Sequence, residues 1–167
     1  RDGLLRADPS DPSAVLHELN RAFPMEENHN KFFTMWYGVF DRRTRVLRYA
    51  SGGHPAALAP DDAFVPQRLD STGPAVGIWP DATFDTAEVP LPGAARLYVF
   101  SDGIFEIPRP GGGTLDVDEF VALLPAGRTN PHDRAVSRIG AVLQRVRKIR
   151  GGGNFDDDVS LLEVAFG

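Results

Sequence analysis

The sequence has no cysteine among its 167 residues. This absence excludes a disulfide framework, a thiolate zinc site and a cysteine nucleophile, and it is compatible with the cytoplasm, the location we expect. The chain also lacks an apolar run near the roughly 20 residues of a membrane-spanning helix, and its N-terminus has no basic-then-apolar signal pattern. We therefore expect a soluble protein with no membrane partner.

An excess of positive charge is also missing. The formal net charge is -5 and the sequence pI is about 5.3. Such a chain has no general positive field to draw it onto nucleic acid, so its expected partners are proteins or small molecules. The chain begins Arg1-Asp2-Gly3 without an initiator Met, and we expect it to be part of a longer polypeptide.

The apolar content, 42%, is enough for the core of one globular domain of this length. We therefore expect a single domain over residues 1–167. Helical periodicity and end signals predict helices over 11–23, 116–124 and 131–150. The last of these is basic, which fits either a docking face for an acidic partner or a solvated face with cations near the helix C-terminus.

Aromatic and β-branched residues predict a β-hairpin from 32–40 and 46–50. Further strands are expected over 63–69, 83–89, 96–101 and 159–166, with a meander as the simplest arrangement. Several of these strands do not alternate between apolar and polar residues, which favours sheets covered on both faces. Antiparallel sheets packed together with helices outside them meet that requirement.

Acidic residues follow one predicted strand and precede another. Asp102 lies in Ser101-Asp102-Gly103, where Gly103 lets the backbone turn, and Asp156-Asp157-Asp158 directly precedes the last strand. If the two strands are antiparallel neighbours, both acidic sites share one sheet edge. Clustered carboxylates favour a hard cation such as Mg²⁺ or Mn²⁺, although a turn and a solvated acidic loop explain the same residues.

Four segments, in this order, resemble the PPM-type metal-dependent Ser/Thr protein phosphatases, specifically the bacterial SpoIIE/RsbU-like branch. They are Phe33-Thr34-Met35-Trp36-Tyr37-Gly38-Val39-Phe40-Asp41, Tyr49-Ala50-Ser51-Gly52-Gly53-His54-Pro55, Tyr98-Val99-Phe100-Ser101-Asp102-Gly103-Ile104-Phe105-Glu106 and Asp157-Asp158-Val159-Ser160-Leu161-Leu162. Gly73-Pro74-Ala75-Val76-Gly77-Ile78 and Leu19-Asn20 add to the likeness, which covers nearly the whole chain.

The resemblance implies an α+β fold in which two antiparallel sheets pack as a β-sandwich flanked by helices. It also implies a centre of two divalent cations, Mn²⁺ or Mg²⁺, and hydrolysis of phosphoserine or phosphothreonine by metal-activated water. By position, Asp102 and Asp157 match family metal ligands and act in catalysis through the metals. Asp158 falls where the family has Asp or Asn beside that ligand, as an outer ligand or a supporting neighbour.

His54 falls at the family's Gly-His-Pro turn, near where eukaryotic relatives place an additional metal-binding Asp. A turn histidine held by backbone hydrogen bonds is an equal alternative. The family's upstream Gly-Asp and Asp-Val-Ser-Gly-His-Gly motifs do not occur in this sequence, so we expect the N-terminal elements of the domain and the remaining ligands to precede Arg1.

Members of this branch commonly act on a phosphorylated anti-sigma-factor antagonist of the STAS type and are fused to an upstream sensor or receiver domain. The resemblance therefore implies such a phosphoprotein substrate and such a domain in the parent chain. Two alternatives remain open. One is a catalytically inactive phosphatase-like module that binds a regulatory partner, and the other is a metal-dependent hydrolase of a non-protein phosphoester.

Overall fold

A computed structural model describes residues 6–60, 65–91, 93–125 and 135–167. The helices in these ranges are α1 (Pro12–Ala22), α2 (Val117–Leu123) and α3 (Ala135–Arg150), with short 3-10 helices at Met25–Glu27 and Asp102–Ile104. The strands in these ranges are β1 (Met35–Asp41), β2 (Val46–Gly52), β3 (Ala56–Pro60), β4 (Gln67–Leu69), β5 (Ala87–Pro90), β6 (Ala95–Phe100) and β7 (Leu161–Phe166).

The backbone groups into two compact units. The first unit comprises Arg1–His54 and Asp70–Pro92, and the second comprises Pro55–Leu69 and Gly93–Gly167. Each unit contains one antiparallel sheet with at least one helix packed beside it. The predicted α+β class with two antiparallel sheets and helices is therefore confirmed.

The first unit contains the sheet β1-β2-β5. Strands β1 and β2 form the predicted hairpin, paired from Met35 opposite Gly52 to Asp41 opposite Val46. Asp41 stabilises the turn, because its Oδ1 accepts hydrogen bonds from the N–H groups of Arg43 at 2.8 Å and Thr44 at 3.2 Å. The first strand begins at Met35 rather than at residue 32.

Helix α1 packs on β1 and β2 within this unit. Its N-terminus is capped by Asp11, whose side chain accepts the N–H of Ala14 at 3.2 Å. Near its end, the 2% exposed Asn20 accepts from the Gly77 N–H at 2.7 Å and donates to the Trp79 carbonyl at 2.9 Å. The amide oxygen and the amide nitrogen of this buried side chain therefore both have hydrogen-bond partners. Through them Asn20 joins the helix to the glycine-rich segment over residues 73–78.

The second unit contains the sheet β4-β3-β6-β7, in which every pairing is antiparallel. Helices α2 and α3 cover part of its core, where the rings of Phe100 and Phe120 lie 4.7 Å apart between centroids. Strands β6 and β7 pair from Ala95 opposite Phe166 to Phe100 opposite Leu161. The expected neighbour relationship of these two strands is confirmed.

An ion pair joins α3 to the sheet of the second unit. The Glu163 side chain on β7 is only 2% exposed and accepts hydrogen bonds from the guanidinium of Arg138 on α3, including two from Nε at 3.1 Å. Arg96 on β6 also lies near this carboxylate, with Nε 3.8 Å from Glu163 Oε1. Burial, and then the Glu163 charge, raises the pKa of the neighbouring Tyr98 hydroxyl.

Two expectations about strands are wrong in detail. The strands do not form a meander, since β2 pairs with β5 and β3 pairs with β6 across long stretches of chain. Strand β3, at Ala56–Pro60, is not among the predicted strands, because its alanines and proline carry little β propensity. Of the strand expected over 63–69, only Gln67–Leu69 is observed, and residues 63–64 lie outside the described ranges.

The predicted helix ends are largely confirmed. Asp116 caps α2, and after Arg150 three successive glycines with φ between 84° and 96° end α3. Such positive φ values favour glycine, which terminates a helix well. The expected start of α3 at Asn130 and Pro131 lies outside the described residues. No described helix has the length and apolarity required to cross a bilayer.

Replacing Glu163 with Gln should lower the free energy of unfolding by about 3 kcal/mol, because the neutral amide leaves Arg138 buried without its counter-charge. Urea denaturation of the protein measures this change. Glu27→Gln is the matched control, since Glu27 is exposed and its removal should change stability by less than about 0.5 kcal/mol. Equal stability of the two variants would contradict the structural role of the ion pair.

Stability should depend on the ionisation of Glu119. The side-chain hydrogen bond from Arg109 and the Asp116 N–H lower the pKa of this capping-box carboxyl below its ordinary value of 4.5. A lowered folded-state pKa means that the contribution is complete above pH 4.5 and is lost as the pH falls through the folded-state value. Glu119→Gln should therefore flatten the acid limb of the stability profile, measured by thermal unfolding against pH, and an unchanged acid limb would contradict the role of this carboxylate.

Candidate metal site

Asp102 lies immediately after the end of β6, where the chain turns into a short 3-10 helix. Its backbone carbonyl accepts from the N–H groups of Phe105 and Glu106, both at 2.9 Å, which closes the turn. Its Oδ1 accepts the Gly103 N–H at 3.0 Å, and the residue is exposed. The second carboxylate oxygen has no hydrogen-bond partner among the described residues, so it is available to a ligand.

Asp157 has the same local arrangement just before β7. Its Oδ1 accepts the N–H of the following residue, Asp158, at 2.7 Å, and both aspartates are exposed. The antiparallel register places this segment beside the Asp102 turn, since Phe100 pairs with Leu161. The expectation that the start of the last strand adjoins the end of β6 is therefore confirmed.

Gly103 packs closely against the second acidic segment. A Cβ at this position would lie 2.5 Å from the Asp158 carbonyl oxygen and 3.2 Å from the Asp157 Cβ. The first distance is shorter than contacts that real Cβ atoms make, so any larger residue would push the segments apart. Gly103 thus has a packing role in addition to the predicted turn.

The backbone of Asp158 helps to connect the two acidic segments. Its carbonyl oxygen accepts a hydrogen bond from Ser101 Oγ at 3.1 Å, and Ser101 Oγ in turn accepts the Ser160 N–H at 2.9 Å. These bonds connect the second acidic segment to the residue before Asp102. They cannot be inferred from the residues alone, because they depend on which strands pair and in what register.

The side chains fit part of the donor set of a hard divalent cation, since carboxylate oxygens are the ligands that Mg²⁺ and Mn²⁺ prefer. The close approach at Gly103 keeps the Asp102 and Asp157 segments together. However, the described residues contain no group of three or more His, Cys, Asp or Glu side chains arranged to hold a metal ion. Within the described residues, Asp102 and Asp157 are therefore candidate ligands that do not form a complete site.

Asp156 has a definite partner within the second unit. Its Oδ1 accepts from Arg150 at the end of α3, at 2.5 Å, and the Arg147 guanidinium lies 5.7 Å from the centroid of the Phe155 ring. The Asp156 side chain therefore has a structural role. The end of α3 holds the start of the acidic segment.

The basic residues of α3 fit the solvated-face alternative in part, because Arg145, Arg147 and Lys148 are exposed and the last turn contains Arg147, Lys148 and Arg150. Arg138 is paired with Glu163, and Arg145 donates to the Leu123 carbonyl at 2.8 Å. Arg147 lies over the Phe155 ring, and Arg150 binds Asp156. These four side chains make contacts inside the second unit. Residue 134 lies outside the described ranges.

His54 lies in the first unit, at the turn after β2. Its N–H donates to Ser51 Oγ at 3.2 Å, its carbonyl accepts from the same hydroxyl at 2.8 Å, and its Nδ1 lies 3.1 Å from Thr34 Oγ1. These are the contacts of the turn alternative. The accessory metal role remains a prediction.

Comparison with known families identifies the chain. The family described as Stage II sporulation protein E (SpoIIE) matches residues 3–167. The match includes all four segments on which the resemblance was based, together with Asp102 and Asp157.

Three curated proteins are similar over part of the chain. Protein IcfG of Synechocystis sp. (strain PCC 6803) is 32% identical over 79 residues, 47% of this chain and 12% of its own length. Phosphoserine phosphatase RsbP of Bacillus subtilis is 28% identical over 99 residues, and phosphoserine phosphatase RsbU of the same organism is 29% identical over 104 residues. These alignments cover 57% and 60% of this chain but only 25% and 30% of the relatives.

Solved structures share the fold. The SiaA-PP2C domain of Pseudomonas aeruginosa superimposes with a TM-score of 0.74 at 21% identity, covering 95% of this chain and 62% of that one. The PP2C phosphatase domain of SpoIIE from Bacillus subtilis, solved with a fragment of its regulatory domain, gives 0.68 at 16% identity, covering 92% and 44%. RsbX in complex with magnesium gives 0.58 at 14% identity, covering 92% and 63%.

At these identities the solved structures establish the fold alone, whereas the family match extends over nearly the whole chain. The recognition of the SpoIIE/RsbU-like branch from the sequence is confirmed. The chain belongs to the Stage II sporulation protein E (SpoIIE) family, and the proteins similar to it include phosphoserine phosphatases and a PP2C phosphatase domain.

Proposed function

We propose that this protein hydrolyses phosphoserine or phosphothreonine on a regulatory protein in a reaction that depends on Mn²⁺ or Mg²⁺. The observation that carries the proposal is the juxtaposition of the Asp102 turn and the Asp157 segment at one end of the β6–β7 pair. Membership of the SpoIIE family and the similarity to two phosphoserine phosphatases support it. The complex of RsbX with magnesium supports the choice of cation.

Asp102 and Asp157 would hold the cations. Each carboxylate is oriented by a hydrogen bond from the next backbone N–H to one oxygen, and the other oxygen is directed to no partner among the described residues. Both residues are exposed, so a phosphoester on a protein surface can reach them. When bound, divalent cations lower the pKa of a water molecule and neutralise charge on the transferring phosphoryl group.

The remaining ligands are proposed to come from outside the printed sequence. Two or three carboxylates would hold a pair of divalent ions only weakly, because water would have to fill most of the other coordination positions. On this proposal residues 1–167 form the C-terminal part of one phosphatase domain, and preceding segments complete both the domain and the site. An upstream sensor or receiver domain would control it.

The proposed substrate is a phosphorylated anti-sigma-factor antagonist of the STAS type in the cytoplasm. Similarity to the phosphoserine phosphatases RsbP and RsbU supports a phosphoserine substrate, and the net charge of -5 does not favour a nucleic acid. The alternative is a non-catalytic module that binds a regulatory partner. The lack of a three-residue metal-binding group in the described part of the chain favours that alternative.

The decisive assay compares a phosphoserine peptide with p-nitrophenyl phosphate, each with and without Mn²⁺, using the full-length protein. Mn²⁺-dependent turnover that prefers the peptide supports the proposal. Turnover of the generic ester alone indicates a hydrolase of non-protein phosphoesters. Absence of turnover with both substrates, in a protein that still binds its phosphoprotein partner, indicates the non-catalytic module.

Asp102→Asn should lower kcat/KM for the phosphopeptide by about 100-fold or more in the full-length protein, because the amide loses the negative charge that holds the cation. The fold should be retained, since the amide oxygen can still accept the Gly103 N–H. Asp118→Asn is the control: Asp118 is exposed, pairs with Arg68 on the surface and should leave turnover within about twofold. Undiminished turnover in the Asp102 variant would refute the ligand assignment.

Gly103→Ala should weaken Mn²⁺ binding by about tenfold or more and lower the free energy of unfolding by about 1–3 kcal/mol, because the methyl group would overlap the Asp158 carbonyl. Isothermal titration calorimetry and urea denaturation of the full-length protein measure the two effects. Gly111→Ala provides the comparison, since a Cβ there meets no atom within 4 Å. Identical behaviour of the two variants would show that the close approach has no functional consequence.

A further inference from the structure

The pairing of β6 with β7 changes at Ser101. If the register of the strands continued, Ser101 would face Ser160 and the two residues would exchange two backbone hydrogen bonds. One is present, from the Ser101 N–H to the Ser160 carbonyl at 3.1 Å. The other backbone bond is replaced, because the Ser160 N–H donates to the Ser101 hydroxyl at 2.9 Å and not to the Ser101 carbonyl.

This exchange of acceptor has a consequence for the Asp102 turn. The Ser101 backbone carbonyl, which a regular ladder would use for Ser160, accepts instead from the Ile104 N–H at 3.3 Å. The chain can therefore leave the sheet and enter the 3-10 helix that begins with Asp102. The hydroxyl substitutes for the carbonyl in the sheet so that the carbonyl can close the turn.

The same hydroxyl also acts on the second acidic segment. Ser101 Oγ donates its proton to the Asp158 carbonyl at 3.1 Å while it accepts from Ser160, so both of its functions are used. The Asp158 carbonyl is the atom that lies against Gly103. One side chain therefore fixes the peptide next to Asp157 against the turn that carries Asp102.

We infer that Ser101 is a positioning residue for the divalent-cation site, whose hydroxyl sets the placement of Asp157 relative to Asp102. The inference rests on the proposed function, because it assumes that these aspartates bind the cation. Ser101 itself need not contact the metal or the phosphoester. Its effect is to reduce the freedom of two exposed carboxylates before a cation arrives, which lowers the ordering cost of binding.

The test uses Ser101→Ala and Ser101→Thr in the full-length protein, with Ser160→Ala as the matched control. S101A removes the hydroxyl and S101T retains it. S160A removes a neighbouring, exposed hydroxyl but keeps the backbone N–H that the Ser101 hydroxyl accepts. Two quantities are measured: the hydrogen-exchange rate of the Ser160 amide without metal, and the Kd for Mn²⁺ by isothermal titration calorimetry.

In S101A we expect the Ser160 amide to exchange at least about tenfold faster and Mn²⁺ to bind about tenfold more weakly, which corresponds to about 1.4 kcal/mol. S101T and S160A should stay within about twofold of the wild type in both measurements. A saturating Mn²⁺ concentration should restore most of the kcat of S101A, because its ligands are intact.

Two results would overturn the inference while leaving the proposed function in place. One is an unchanged Ser160 exchange rate in S101A, and the other is faster exchange with wild-type Mn²⁺ affinity, which would make the hydroxyl purely structural. If the wild-type protein binds no Mn²⁺, the proposed function fails, and this inference fails with it. If S101A does not fold, S101C replaces it, since cysteine is similar in shape to serine and its sulfur is only a weak hydrogen-bond acceptor.

Discussion

The antiparallel pairing of β6 with β7 is the constraint on which the candidate site depends. These strands are separated by about sixty residues of chain, yet Phe100 lies opposite Leu161, and the acidic residues extend from the same end of the pair. A shift of one residue would turn every side chain of β7 to the opposite face of the sheet. It would also separate Gly103 from the Asp158 carbonyl that it contacts.

Helix α3 supports this register from outside the sheet. Arg138 binds Glu163 in the middle of β7, and Arg150 binds Asp156 before the strand begins. The Glu163 pair is buried, and such a pair favours one register, because any other would leave a charge unpartnered. The Arg150 contact is more exposed and lies in the loop before β7. Helix α3 therefore contacts both the strand and the residues that lead into it.

Local signals in the sequence predicted local structure well. The helices predicted to begin near Asp11 and Asp116 and the hairpin around Asp41 depend on neighbouring residues, and the structure confirms them. The strand at Ala56–Pro60 was not predicted, since its stability comes from β4 and β6 on either side and not from its own residues. The order of the strands was wrong for the same reason, because a meander assumes that neighbours in sequence are neighbours in space.

The sequence by itself determined the family, the fold class, the approximate positions of the helices and the candidate ligands Asp102 and Asp157, because these depend on residue types at short spacing and on the order of motifs. Only the tertiary structure decided what surrounds them. The contact of Gly103 with Asp158, the hydroxyl bonds of Ser101 and the pairing of Arg150 with Asp156 all join residues distant in sequence. Such contacts are set by strand register and helix packing, which short-range patterns do not specify.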